Sequence, residues 1–200
     1  MKIYMIRHCE SEDDVLNCYG GCADFELTAH GGETARAHSE KLTDLGIQKI
    51  YASPYKRAKN VAKIFAEKIG VDVEIINDLR EWNQYGVMCG VNKDLAKDIF
   101  GLLINSDEYK SYGYYKGKAF EGGEPVKSLD DRVKRAFDYI VGRGLDTVAI
   151  VTHSGVFRSA YKNILNQPEQ IDDIADAGTM EIEYNNGVFT VAGLDGIKLK

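Results

Sequence analysis

Residues 147–155 read TVAIVTHSG, and residues 2–10 read KIYMIRHCE. Each is a short apolar run ending in a histidine. Runs of this length, rich in β-branched residues and closed by polar ones, predict strands buried on both faces, as in a parallel sheet. Outward from them, strand and helix signals alternate. LTAHGGETARAHSEKLTDLG predicts a helix with Thr28 as N-cap and Gly46 as its stop. IQKIYAS predicts a second strand, and Pro54 sits where a first helical turn tolerates proline. YKRAKNVAKIFAEKIG repeats apolar residues at three and four (Ala58, Val61, Ala62, Phe65, Ile69), a helix ending at Gly70. VDVEII predicts a third strand and LAKDIFGLLI a helix. Ser128 is the expected cap of LDDRVKRAFDYIVGRG, with Val133, Phe137 and Ile140 on one face. VFRSAYKNIL predicts a last helix, and MEIEYNNGVFTVAGL a hairpin turning at Asn186-Gly187. The alternation predicts an α/β fold: a three-layer sandwich with a mostly parallel central sheet flanked by helices. No boundary divides it, so residues 1–200 are expected to form one domain, with 83–125 as a lid insertion.

The totals narrow the functional classes. A net charge of −6 argues against a nucleic-acid partner, which calls for a basic face. IYMI is too short for a signal-peptide core, and no apolar run approaches membrane-spanning length. Four cysteines (Cys9, Cys18, Cys22, Cys89) without a secretory signal predict reduced thiols and a cytoplasmic protein. Cys18 and Cys22, with His8 and Cys9 upstream, resemble half a zinc site. The second close Cys/His pair is missing, so no metal and no cofactor is expected.

The two histidine-ended strands carry the chemistry. Ligands of open α/β sheets bind outside the carboxyl ends of the strands, where Arg7-His8 and His153 would meet. IYAS leads into the helix carrying Arg57, and DVEII leads through DLRE to Glu81. Singly, each has an ordinary reading: a satisfied core histidine, a solvated helix cation, a capping carboxylate. Jointly they suit phosphoryl transfer. Guanidinium forks grip phosphate oxygens bidentately, and amides near Ser154 and Gly155 offer a helix N-terminus to the same oxygens. One imidazole attacks phosphorus, forming a phosphohistidine that water cleaves. Surrounding positive charge keeps that ring neutral. Glu81 is the general acid at hand for the leaving alkoxide.

The same residues resemble the histidine phosphatase superfamily, the phosphoglycerate-mutase-like proteins. Its Arg-His-Gly start motif reads RHCES (7–11), its D-x-x-L-T-x-x-G reads DFELTAHG (24–31), and its S-x-x-x-R-A reads SPYKRA (53–58). L-x-E is LRE (79–81), EGGEPVKSLDDRV (121–133) is the Gly-Glu-rich turn before a helix, and IVTHSGVFR (150–158) is the second histidine motif. The resemblance implies that His8 is the phosphorylated nucleophile and that Arg7, Arg57 and His153 clamp the phosphoryl group. It makes Glu81 the proton donor and then the base for water, and Ser11 a residue that orders the pocket or touches phosphate. CYGGCADFELT and EGGEP look most like the α-ribazole phosphatase type.

Departures from the pattern bear on substrate. Cys9 replaces glycine, Asp14 stands where asparagine is usual, and Asn17 or Cys18 stands where an arginine is common. Met88 and Cys89 replace the Trp and Glu of G-x-W-E-G. Losing a cation and gaining Asp14 disfavours a bisphosphate. Cys9 beside cations should favour thiolate and oxidation by peroxide; the plainer reading, a small residue tolerated under the phosphate, is the preferred one.

The expected activity is hydrolysis of a small phosphorylated metabolite. The alternatives are a phosphoglycerate mutase, using Lys110, Lys116 or Lys118 for the substrate carboxylate, and a catalytically silent phospho-ligand or protein-binding module. The tract YKSYGYYKGKAF (109–120) is read either as a lid stacking on a ring or as a tyrosine-rich surface, and the terminal hairpin as edge structure with a homodimer contact.

Overall fold

A computed structural model describes residues 1–96 and 122–200. The tyrosine tract, Lys110, Lys116, Lys118 and most of the expected insertion lie outside the described residues. The elements are β1 (Lys2–Arg7), α1 (Glu12–Val15), α2 (Ala29–Ser39), β2 (Lys49–Ala52), α3 (Lys56–Ile69), β3 (Val73–Ile75), α4 (Val126–Val141), β4 (Thr147–Thr152), α5 (Ser154–Asn163), β5 (Ile171–Asn185) and β6 (Val188–Leu199).

The sheet runs β3-β2-β4-β1-β5-β6. The β3-β2, β2-β4 and β4-β1 pairs are parallel, while β1-β5 and β5-β6 are antiparallel. Alternate residues of each inner strand serve opposite layers. Ile3 and Met5 of β1 join Val133, Phe137 and Ile140 of α4 and Val156, Phe157 and Ala160 of α5. Tyr4 and Ile6 join Ala35 of α2 and Ala58, Val61, Ala62 and Phe65 of α3. Burial on both faces explains why the inner strands read as unbroken apolar runs. Among the described residues no helix is long and apolar enough to cross a membrane.

Several local expectations need correction. The α-helix after Thr28 ends at Ser39 and continues only as a 3-10 turn over Glu40–Leu42; Thr28 does cap it, accepting the Gly31 N–H at 2.9 Å. Pro54 precedes the N-cap Tyr55 and lies outside α3. Ser128 is the third residue of α4, because the Pro125 carbonyl accepts the Ser128 and Leu129 amides and starts the helix a turn early. The hairpin turns at Asn186 (φ 49°) and Gly187 (φ 87°), the positive-φ pair of a two-residue loop. Its first strand begins far earlier than its alternation shows. β5 lies between β1 and β6, so of the two hairpin strands only β6 is an edge, and β3 is the opposite edge of the sheet.

The order of strands places the site. Arg7 pairs with Thr152, and the His8 amide donates to the Thr152 carbonyl at 2.9 Å. One strand over, the Ser53 amide donates to the Val151 carbonyl at 3.0 Å. Three adjacent parallel strands therefore end side by side in Ser53, His153 and His8.

Candidate active site

The His8 and His153 rings lie side by side with centroids 5.0 Å apart and planes tilted by 59°, both buried. His8 Nδ1 lies 2.8 Å from the Cys9 carbonyl oxygen. An oxygen acceptor there assigns the proton to Nδ1 and leaves Nε2 with its lone pair. His153 Nε2 lies 2.7 Å from Ser53 Oγ, and that oxygen accepts the Tyr55 amide at 3.3 Å. With the ring proton of His153 on Nδ1, the Ser53 hydroxyl donates to Nε2 while its oxygen keeps the Tyr55 amide.

Arg57 is buried at 2% exposure. Its two terminal nitrogens donate to the Ala23 and Gly21 carbonyls at 2.7 and 3.0 Å, and the guanidinium lies 5.2 Å from the Tyr55 ring centroid. Tyr55 meets His153 edge-on at 5.6 Å. Arg7 reaches the other side, donating to the Ile174 carbonyl at 2.9 Å and to Asp176 at 3.0 Å. Four buried side-chain polar atoms among the described residues have no hydrogen-bond partner; three are Arg7 Nε, Arg57 Nε and His153 Nδ1. Buried donors are rarely left so, and three in one cage suit an acceptor-rich anion such as a phosphoryl group.

Both imidazoles are held well below the usual histidine range. For His8, burial comes first, then the charges of Arg57 and Arg7; for His153, burial comes first, then Arg57 and His8. Two neutral rings near neutral pH result, as nucleophilic attack requires.

Glu81 stands beside this cage. Its Oε1 accepts the Trp82 amide at 2.7 Å and the Gly155 amide at 3.0 Å. The carboxylate therefore takes the positive N-terminus of α5, and the Gly155 amide, expected to face phosphate, faces Glu81 instead. A Cβ on Gly155 would fall on Glu81 Oε1 and 2.9 Å from Trp82 Cβ, so only glycine permits this approach. Ser154 opens α5 beside it. Ser11 is buried, with its hydroxyl on Asp13 at 2.6 Å and its amide on Asp14 at 3.0 Å. It orders the loop after His8.

The thiolate expectation for Cys9 fails. The side chain is fully buried, and its thiol is pushed up to about 12, by burial first and then by Asp176, with Arg7 opposing. Cys22 and Cys89 are together instead, the Cys22 amide lying 3.2 Å from Cys89 Sγ. Among the described residues no three His, Cys, Asp or Glu side chains group to hold a metal ion.

Three supports were missed from the sequence. Asp176 fixes Arg7 and also accepts the Glu10 amide at 2.9 Å. Ser53 was quoted in SPYKRA without a role. Arg132 is 1% exposed and ties the Glu81 loop down, donating to the carbonyls of Asp78, Arg80 and Glu81 and to the Glu124 carboxylate. Its signal was visible: a lone cation on the apolar face of α4, between Leu129, Val133 and Ala136.

Comparison with known proteins agrees with the resemblance. The profile of the histidine phosphatase superfamily (branch 1) matches residues 3–195. A 2,3-bisphosphoglycerate-dependent phosphoglycerate mutase of Latilactobacillus sakei is 28% identical, over 100% of this chain and 92% of its own. Phosphoglycerate mutase-like protein 4 of Arabidopsis thaliana is 30% identical, over 86% of this chain and 75% of its own. Among solved structures, the α-ribazole phosphatase of Shigella flexneri has the same fold, with TM-score 0.83, 21% identity and coverage of 98% and 96%. The chain belongs to the histidine phosphatase superfamily.

Proposed function

We propose that this member of the histidine phosphatase superfamily is a phosphomonoesterase acting through a phosphohistidine on His8. The substrate is a small phosphorylated metabolite of the α-ribazole phosphate or sugar and nucleoside phosphate kind. The observation that carries the reading is the cage: two adjacent neutral imidazoles between two arginines, with partnerless buried N–H groups on three of the four residues. His8 Nε2 attacks phosphorus while the P–O ester bond breaks, and Arg7, Arg57 and His153 hold the phosphoryl oxygens. Glu81 gives its proton to the departing alkoxide. Water then attacks the phosphohistidine, Glu81 takes the water's proton, and inorganic phosphate leaves with His8 restored.

A mutase is the second reading, favoured by the curated relatives at 28–30% identity, which carry mutase names. The test compares p-nitrophenyl phosphate hydrolysis with interconversion of phosphoglycerates. Hydrolysis by wild type and none by His8→Ala supports the phosphatase. Interconversion faster than hydrolysis overturns it in favour of the mutase, and no turnover of either kind favours a silent binding module.

A further inference from the structure

Next to the cage lies a cavity of about 350 Å³ lined by Cys22, Tyr55, Arg80, Asn83, residues 122–125 and Ser128. Tyr55 is the shared wall, since its ring also meets His153 and the Arg57 guanidinium. Asn83 and Arg80 of the lining are the chain neighbours of the Glu81-Trp82 pair, which places the cavity along the loop that carries the proposed acid. A group esterified to a phosphate in the cage would extend into it.

The charges on this cavity are already matched. Arg80 is its one cationic lining residue among the described residues. The Arg80 guanidinium donates to the Asn77 carbonyl at 3.2 Å, sits 3.4 Å from Glu124 and 3.8 Å from Asp78. Arg132, behind the wall, has donors on three carbonyls and both Glu124 oxygens. Glu124 also takes the Ser128 hydroxyl at 3.4 Å. Burial pushes its carboxyl up, but the hydrogen bonds and charge of Arg132, with Arg80, more than reverse this, so it stays ionised. The α4 N-terminus, which would attract an anion, thus already has a carboxylate immediately before it. The rest of the lining among the described residues is uncharged: a tyrosine, an asparagine, a serine, a thiol, a proline and two glycines.

We propose that this cavity is the leaving-group site and that it selects phosphomonoesters whose alcohol part is uncharged and hydroxyl-bearing, against those carrying a carboxylate or a second phosphate. The inference rests on the phosphatase reading and sharpens its substrate class. Among the described residues, an incoming carboxylate would meet Glu124 at close range with no cation lacking a counter-charge to receive it, a like-charge contact that costs affinity. A hydroxyl meets Asn83 and Ser128 at no such penalty.

The test uses one carbon skeleton in two charge states, glycerol 3-phosphate and 3-phosphoglycerate, as competitors of p-nitrophenyl phosphate hydrolysis. Wild type should bind glycerol 3-phosphate about tenfold or more tightly than 3-phosphoglycerate, judged by inhibition constants. Ser128→Lys adds a cation beside Glu124 at an exposed position of α4, offsets the repulsion of a carboxylate there, and should shrink that ratio about threefold or more. Arg80→Gln removes the matching charge and should widen it. Equal constants in wild type, or a ratio unmoved by both variants, overturn the inference. Loss of His8-dependent hydrolysis altogether overturns the phosphatase reading instead, so the two failures are distinguishable.

Discussion

At His8 a single backbone carbonyl sets which nitrogen is available: the Cys9 oxygen lies 2.8 Å from Nδ1, so in the proposed mechanism Nε2 is the atom that attacks. The same logic of fixed partners applies to Glu81, held by the Gly155 and Trp82 amides. In its proposed role as proton donor it matters in proportion to the basicity of the leaving group. Glu81→Gln should therefore lose about 10²–10⁴-fold in kcat/KM on an alkyl phosphate. On p-nitrophenyl phosphate, whose phenolate leaves without a proton, the loss should stay below about tenfold. Equal losses on both substrates would remove Glu81 from that role. Arg7, His8 and His153 were legible because polar groups at the ends of buried strands need partners, and Arg57, on α3, only by its placement beside them and the match of SPYKRA to the family pattern. Asp176 was not, since nothing local in IDDIADAG marks one aspartate of three as the residue that reaches Arg7. The thiolate reading of Cys9 fails because sequence adjacency to Arg7 and His8 reveals nearby charge and not burial, and burial outweighs the arginine; the plainer reading, a small residue under the phosphate, agrees with its full burial.

Among the elements, α3 was read almost to the residue, because one helical face is apolar and Gly70 at φ 72° closes it. The first half of β5 was not. Register shifts between Ile171 and Asp173 and between Ile174 and Thr179, with Ala177 at φ 54°, break the alternation a strand would show. That irregular stretch brings Asp176 to Arg7, so local pattern is lost where the site gains a support. In α4 the pattern was right but its exception went unread. Arg132 joins the helix to the loop of Asp78, Arg80 and Glu81, with Glu124 10% exposed as its counter-ion. Arg132→Met leaves that carboxylate and three carbonyls short of donors, and should cost about 3–5 kcal/mol of stability. Urea unfolding with an unchanged m-value would measure it; a loss under about 1 kcal/mol would contradict the clamp.

At the scale of the whole molecule, the sheet order β3-β2-β4-β1-β5-β6 turns residues far apart in sequence into one cage. Sequence alternation gave the class, parallel core and layers. It left the antiparallel β5 beside β1 unplaced, because pairing partners are set by tertiary packing that no local period encodes. The account's central claim is that phosphate passes through His8. Rapid acid-free quenching of turnover, followed by mass analysis of peptides under alkaline conditions, should find a phosphoryl group on the peptide containing His8, labile to acid and absent from His8→Asn. Steady hydrolysis with no such adduct, or an adduct on a different residue, would contradict it.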